Sequence, residues 1–459
     1  MMIACTESIL AVVVFGLVCS SASGDAGKPA ELVSNPDFAS TESRDVPEGW
    51  SIWSPEWENA SCTVKAVSGG LLVDAPGRSY AVGGAFQEIK GIEGGKAYAI
   101  EVACELRGIS TPHRSVMVRI SWKNDGKSVH PAGMLIRGPI EEDGVTKFKD
   151  VLVAPEEANG VQLELEVKWP LGGSVLWKSA SIRATAAPEP RRVKVGTVFL
   201  RPSRSTPENN MKLFCEQVDA AGKLGLDIVC LGEAITSVGT SAKTKDVAKP
   251  IPGPDTEVLG DAARRNKIWV VAGIMELDGD VVYNTAVLMD REGQLAGKYR
   301  KTHLPREEWR QGVTPGHEYP VFQTDFGTIA IQICYDWFFP EPEAIFALQG
   351  AEIIFAPTWG NTSPDSEGKV DGENTFRVRA RDNGVYMVPS VYDGSSLVID
   401  PMGRILASNA GKDGVFWAEI DLSVREQLRW VGYWRSIGSR DRMPHTYNIL
   451  MGDPEKPIY

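Results

Sequence analysis

Near residue 190 the hydrophobic period of this chain changes, and nothing else in the sequence constrains the fold as much. Before that point the chain reads as short strand-like runs, at 71–73, 97–102, 116–120 and 161–167. The last, VQLELEV, alternates strictly, which is the period of a strand with one buried face. Turn residues such as Asn124-Asp125-Gly126 and Gly172-Gly173 separate the runs. Many short strands with regular turns predict an all-β jelly-roll sandwich. After that point, strand-like runs at 193–199, 227–231, 268–274, 285–289, 328–333 and 353–356 share the chain with helical periods such as 209–224. That alternation predicts an α/β layer structure. The stretch 186–192, with Pro188 and Pro190, reads as a linker. The expected division is therefore a β-sandwich domain over 28–186 and an α/β domain over 192–459. There is no internal repeat and no low-complexity segment.

The 459 residues are 43% hydrophobic and 24% charged, enough to bury large cores without disulfide staples. A formal net charge of -12 argues against a nucleic-acid backbone as partner and favours small or neutral ones. The apolar run Ile9 to Val18, followed by Ser20-Ser21-Ala22-Ser23-Gly24, resembles a secretory signal peptide over 1–24. Export to the periplasm or outside the cell is expected from it. Its first residues carry Glu7 and no Lys or Arg, so a buried helix or a misassigned start competes with that reading. Cys19 suggests a surface lipid anchor, but Val18 stands where a lipoprotein signal needs a small residue. The seven cysteines show no metal-type CxxC spacing, and no metal site is expected. Cys62 and Cys104 lie in strand-like runs and fit a disulfide as well as two buried thiols.

Three places break the pattern of a plain core. DIVCLGE (227–233) puts the carboxylate of Glu233 directly after a buried strand, at the sheet end where α/β proteins build sites, although an N-cap or surface acid looks the same. GKYRKTHLP (297–305) gathers Lys298, Arg300, Lys301 and His303 in an acidic protein, which a solvated turn also explains. TIAIQICYDWFFPEP (328–342) runs a strand into Cys334 before a helix start. A thiol there meets backbone N–H groups that lower its pKa and cradle an oxyanion; a buried structural cysteine is the alternative.

In this order the three motifs resemble the nitrilase, or carbon–nitrogen hydrolase, superfamily. The resemblance runs from about Arg192 to the C-terminus. Supporting pieces are Thr314-Pro315-Gly316, VFQTDFG (321–327), Gly350-Ala351-Glu352, Arg379-Ala380-Arg381-Asp382-Asn383 and Ile399-Asp400-Pro401-Met402-Gly403. Gly232 departs from the family, which usually has Pro before the glutamate. The resemblance implies a four-layer α-β-β-α sandwich and a Glu-Lys-Cys triad. Cys334 would be the nucleophile and Glu233 the general base. Lys301 and the Tyr335 N–H would hold the oxyanion, and Glu308, or failing it Glu307, would be a second glutamate. Trp359 would line the pocket or pack as a core aromatic. No metal or organic cofactor is implied, and a homo-oligomer is expected.

Cys334-Tyr335-Asp336 looks more like the amidase and N-carbamoyl branches than the nitrilase branch, with Tyr335 and Asp336 shaping the leaving-group pocket. Nitrile hydrolysis stays as the alternative, as does a glycan-binding protein on a degenerate hydrolase scaffold. LVSNPDF (32–38) and Pro47-Glu48-Gly49-Trp50 resemble carbohydrate-binding, galactose-binding-like jelly rolls. A glycan is thus a candidate partner there, stacked on Trp50, Trp53 and Trp57, unless those rings are core or cover the joint between domains. Every triad residue follows Arg192, so the β-rich part is expected to be dispensable for chemistry.

Overall fold

The computed structural model describes residues 29–39, 46–75, 77–360 and 371–452. The expected signal peptide, with Cys5 and Cys19, lies outside the described residues. Among the described residues no helix is long and apolar enough to cross a membrane.

Residues up to Thr185 build two six-stranded antiparallel sheets over one core. The first runs Ser51–Trp53, Val82–Lys90, Gly160–Lys168, Val116–Asn124 and Lys127–Ser128, with Met134–Leu135 on the free side of Val116–Asn124. The second runs Thr63–Val67, Gly70–Asp74, Ser174–Thr185, Ala97–Arg107, Val145–Val153 and Ile140–Glu142. Period-two alternation decides which side chains meet. Val161, Leu163, Leu165 and Val167 are buried, while Gln162, Glu164 and Glu166 between them are not. Cys62 and Cys104 are buried free thiols in this core. Of the three tryptophans considered for sugar stacking, Trp50 is in the core, with its Nε1 donating to the Asn35 carbonyl at 3.3 Å. Trp53 is half-buried beside Ile437 and Arg440 at the joint. Trp57 is 71% exposed.

From Arg192 the chain builds two further six-stranded sheets. Their strands, in chain order, are β1 (Arg192–Phe199), β2 (Ile228–Cys230), β3 (Trp269–Asp278), β4 (Val281–Met289), β5 (Leu295–Arg300), β6 (Val321–Gln323), β7 (Thr328–Ile331), β8 (Ile353–Gly360), β9 (Tyr386–Asp393), β10 (Leu397–Ile399), β11 (Ile405–Ser408) and β12 (Gly414–Asp421). One sheet has the order β5-β4-β3-β2-β1-β12, the other β6-β7-β8-β9-β10-β11. They face each other and are tied by Thr197 Oγ1 donating to the Pro389 carbonyl (2.7 Å) and Ser390 Oγ to the Val198 carbonyl (2.6 Å). Helices α1 (Pro207–Lys223) and α2 (Pro254–Asn266) cover the first sheet, with Phe214 and Leu259 on Val229 and Val270. Helices α4 (Glu341–Leu348) and α5 (Asp371–Asn383) pack Phe346 and Phe376 on the second; a short α3 (Arg306–Arg310) lies between β5 and β6. The layers are therefore α-β-β-α. β2 is apolar throughout because both its faces are covered: Ile228 and Cys230 meet the other sheet, Val229 and Leu231 meet the helices.

Several bounds differ from the sequence expectation. α1 begins two residues early because Thr206 caps it, accepting from Asn209 N at 3.2 Å, and Pro207 suits the first turn. β8 runs on to Gly360, since its parallel pairing with β9 continues. The segment after β12 turns back onto the β-sandwich. There α6 (Trp434–Asp441) sits at the joint, and Arg425 reaches the buried carboxylate of Asp150 with both guanidinium nitrogens (2.6 and 2.9 Å).

Candidate active site

Glu233, Lys301, Glu308 and Cys334 converge where the carboxyl ends of β2 and β7 meet the end of β5. Glu233 follows β2 in a turn held by Gly273 N donating to the Gly232 carbonyl (3.0 Å) and Ile235 N donating to the Gly273 carbonyl (2.9 Å). Lys301 directly follows β5, with its backbone N–H on the Asn284 carbonyl at 2.9 Å. Lys301 is fully buried and Glu233 is 3% exposed. Lys301 Nζ donates to Glu233 Oε1 at 2.9 Å and also to Glu308 Oε1. Burial alone would strip the proton from this lysine, but Glu233, Cys334 and Glu308 raise its pKa above the ordinary value, so it stays an ammonium. Glu308 projects from α3, and its carboxyl pKa is raised by burial and by the charge of Glu233, against the pull of Lys301. Glu307 is exposed on the same helix.

Cys334 opens a 3-10 turn, Cys334–Phe338, three residues beyond β7. Its φ of +42° is left-handed, which a side chain-bearing residue adopts only against steric cost. The thiol is not activated in the way the sequence suggests. Burial, then the negative charge of Glu233, push its pKa up to about 12, against Lys301 and the backbone N–H of Trp359. Cys334 therefore rests as a thiol next to Glu233. Tyr335 stands in the first turn, where N–H groups have no intrahelical acceptor.

Of the four cations in 297–305, only Lys301 enters the centre. Lys298 and Arg300 bind the buried Glu276, Arg300 Nε at 2.9 Å. His303 Nδ1 lies 2.9 Å from Asp336. Asp336 does not line the pocket as expected. It is fully buried and accepts from Tyr299 Oη (2.8 Å), Thr302 Oγ1 (3.0 Å), His303 N (3.0 Å) and Ile333 N (2.9 Å). A carboxylate with that many acceptor sites can fasten two backbone segments at once, and here it ties the Lys301 segment to the Cys334 turn. Trp359 supplies its backbone N–H to the thiol while its ring, 41% exposed, stands edge-on to Tyr392 (5.5 Å, 86°).

Two contributors escape a reading of motifs. Asn284, on β4, donates through Nδ2 to Glu233 Oε1 (2.8 Å) and Glu308 Oε2 (3.1 Å), so one amide spaces the two carboxylates. An amide at the edge of an apolar strand was its sole sequence signal. Tyr392 Oη donates to the Glu233 carbonyl at 2.7 Å from 159 residues away. It also explains Gly232: a Cβ there would stand 2.3 Å from Tyr392 Oη, so the tyrosine occupies the room that glycine leaves.

Residues 194–429 match the family described as carbon-nitrogen hydrolase. A nitrilase of Pyrococcus abyssi is 33% identical over 246 residues, which is 50% of this chain and 90% of the relative. An omega-amidase of Mus musculus is 30% identical over 244 residues, 49% of this chain and 87% of the relative. Among solved structures, a Saccharomyces cerevisiae member of branch 10 of the nitrilase superfamily is 27% identical with a TM-score of 0.46, covering 50% of this chain and 90% of that one. An amidase from Nesterenkonia sp. is 18% identical with a TM-score of 0.47, covering 56% and 96%. The chain belongs to the carbon–nitrogen hydrolase family and is an enzyme that hydrolyses carbon–nitrogen bonds other than peptide bonds.

Proposed function

We propose that this enzyme cleaves a non-peptide amide or N-carbamoyl bond through a thioester on Cys334. The observation that carries this reading is Lys301, fully buried and shared between Glu233 and Glu308 beside the thiol. In the first half-reaction Glu233 takes the thiol proton while sulfur bonds to the carbonyl carbon. Lys301 and the Tyr335 N–H hold the oxyanion. The tetrahedral adduct then collapses, Glu233 returns the proton to nitrogen, and ammonia or an amine leaves. In the second half-reaction Glu233 deprotonates water, which attacks the thioester, and the acid departs as the thiol recovers its proton.

Glu308 favours an amide over a nitrile. Its carboxyl is held next to Glu233, where it can orient an amide or ureido N–H, a contact that a nitrile carbon–nitrogen triple bond cannot make. The test is kcat/KM for matched amide and nitrile pairs. The amide should be preferred, Cys334→Ala should turn over neither, and a clear preference for the nitrile refutes the assignment.

As further parts of the same proposal, the chain is exported, since its first residues resemble a signal peptide, and it works as a homo-oligomer. The division into 28–186 and 192–459, supported by separate cores, makes the first unit an accessory module of jelly-roll, carbohydrate-binding type. The exposed ring of Trp57 is its contact for a glycan.

A further inference from the structure

We infer that the rim of the catalytic centre is an aryl subsite, in which Tyr335, Phe338 and Phe339 receive the ring-bearing, uncharged portion of an amide substrate. The inference rests on the amide-hydrolase reading above. Three observations converge on it. The rings belong to the nucleophile turn itself: Tyr335 follows Cys334, and its ring centroid lies 4.9 Å from that of Phe338 and 5.5 Å from that of Phe339. Phe339 in turn stacks at 4.0 Å on His303, two residues beyond Lys301, and Phe338 stacks at 4.0 Å on Trp337. The cluster thus continues from the nucleophile to the segment that carries the ammonium.

The cluster is also open. Phe338 is 55% exposed, Trp309, next to Glu308, is 55% exposed, and Trp359, whose N–H meets the thiol, is 41% exposed. Exposed rings on the segments that carry the reactive groups suit a flat apolar ligand part, and they are disfavoured on a surface that meets only water. Finally, the charge of the centre points to a neutral substrate. Among the described residues the buried ammonium there is Lys301, two of whose three N–H donors are bound by Glu233 and Glu308 while the third serves the oxyanion, so none is left over for a substrate carboxylate.

The test uses the full chain with Cys334→Ala, so that binding is read without turnover. Dissociation constants are measured by calorimetry for phenylacetamide, butyramide and succinamic acid. Phenylacetamide should bind at least about tenfold more tightly than either of the others. Phe338→Ala in the same background should erase that preference and Phe338→Leu should reduce it, and folding of both is checked by circular dichroism. Equal affinities, or a preference that survives both substitutions, overturns the subsite. So does sedimentation showing that Phe338→Ala dissociates an oligomer while the binding preference persists, because the ring would then be covered by a second copy. Hydrolysis by the wild-type chain is scored separately. Aryl preference without turnover of any amide would defeat the hydrolase reading alone, and turnover without preference would defeat the subsite alone.

Discussion

A thiol with its pKa pushed up to about 12 is almost wholly protonated at neutral pH, so the attack proposed for Cys334 needs Glu233 as its base. The sign follows from burial, which disfavours the thiolate, and from the adjacent carboxylate, which repels it. The absorbance of thiolate near 240 nm, taken as wild type minus Cys334→Ala, should therefore show no ionisation step between pH 6 and 9. A step in that range would mean a preformed thiolate. That Glu233, Lys301 and Cys334 lie together was legible because each stands at the edge of an element in a recognisable run. Asn284 and Tyr392 were not, since a polar residue in a strand carries no label, and their contacts to Glu233 span 51 and 159 residues. Asp336 was legible as a residue but not as a role. Adjacency to the nucleophile suggests the pocket, yet a turn sends neighbouring side chains in different directions.

At the scale of elements, the centre depends on two turns staying in register: the one after β5 that carries Lys301 and the one after β7 that carries Cys334. Asp336 joins them through side-chain and backbone donors from both. Asp336→Ala would leave the Tyr299 and Thr302 hydroxyls and two backbone N–H groups without that acceptor. The loss should be about 3 kcal/mol or more, because each buried donor left unpaired costs about 1–3 kcal/mol. Chemical denaturation measures it, and a loss under about 1 kcal/mol would show that water or another acceptor takes over. β1 to β4, β7 and β8 were readable as strands from period and apolar run, and β5, β6 and β9 to β12 were not. At β5, Lys298, Arg300 and Lys301 fit a solvated turn as well as a site; in the structure the first two pair with buried Glu276. Partners of that kind, on a different strand, leave no local trace.

At the scale of the whole molecule, the joint between the two units is electrostatic and partly buried. Burial alone would raise the pKa of Asp150, but the guanidinium groups of Arg425 and Arg137 overcome it and hold the carboxyl below its ordinary value of 3.8. A depressed carboxyl pKa contributes stability above the unfolded value and loses it as pH falls through the folded one. The joint should therefore weaken only below about pH 4. Asp150→Ala leaves Arg425 without its buried partner and should lower stability by about 3–5 kcal/mol, with kcat within about twofold of wild type. Thermal denaturation and steady-state kinetics check the two halves; a large fall in kcat without a fall in stability would tie the β-sandwich directly to catalysis. The passage from the antiparallel sheets that end at Thr185 to the α/β sheets that begin at Arg192 was visible as a change of period. The return of residues 425–443 onto the β-sandwich was not, because no sequence pattern records which distant surface a segment will meet. That return bears on the expected dispensability of the β-sandwich, since removing it takes away the partners of Arg425 and Arg440.

The central claim is a thioester on Cys334 common to every substrate with the same acyl group. Partitioning between water and hydroxylamine tests it most directly. A primary amide and the matching N-methylamide, hydrolysed under the same hydroxylamine concentration, should give one ratio of hydroxamate to acid, because both ratios are set after the nitrogen has left. Ratios that differ between the two leaving groups would place water on the substrate without a shared acyl-enzyme and contradict the account.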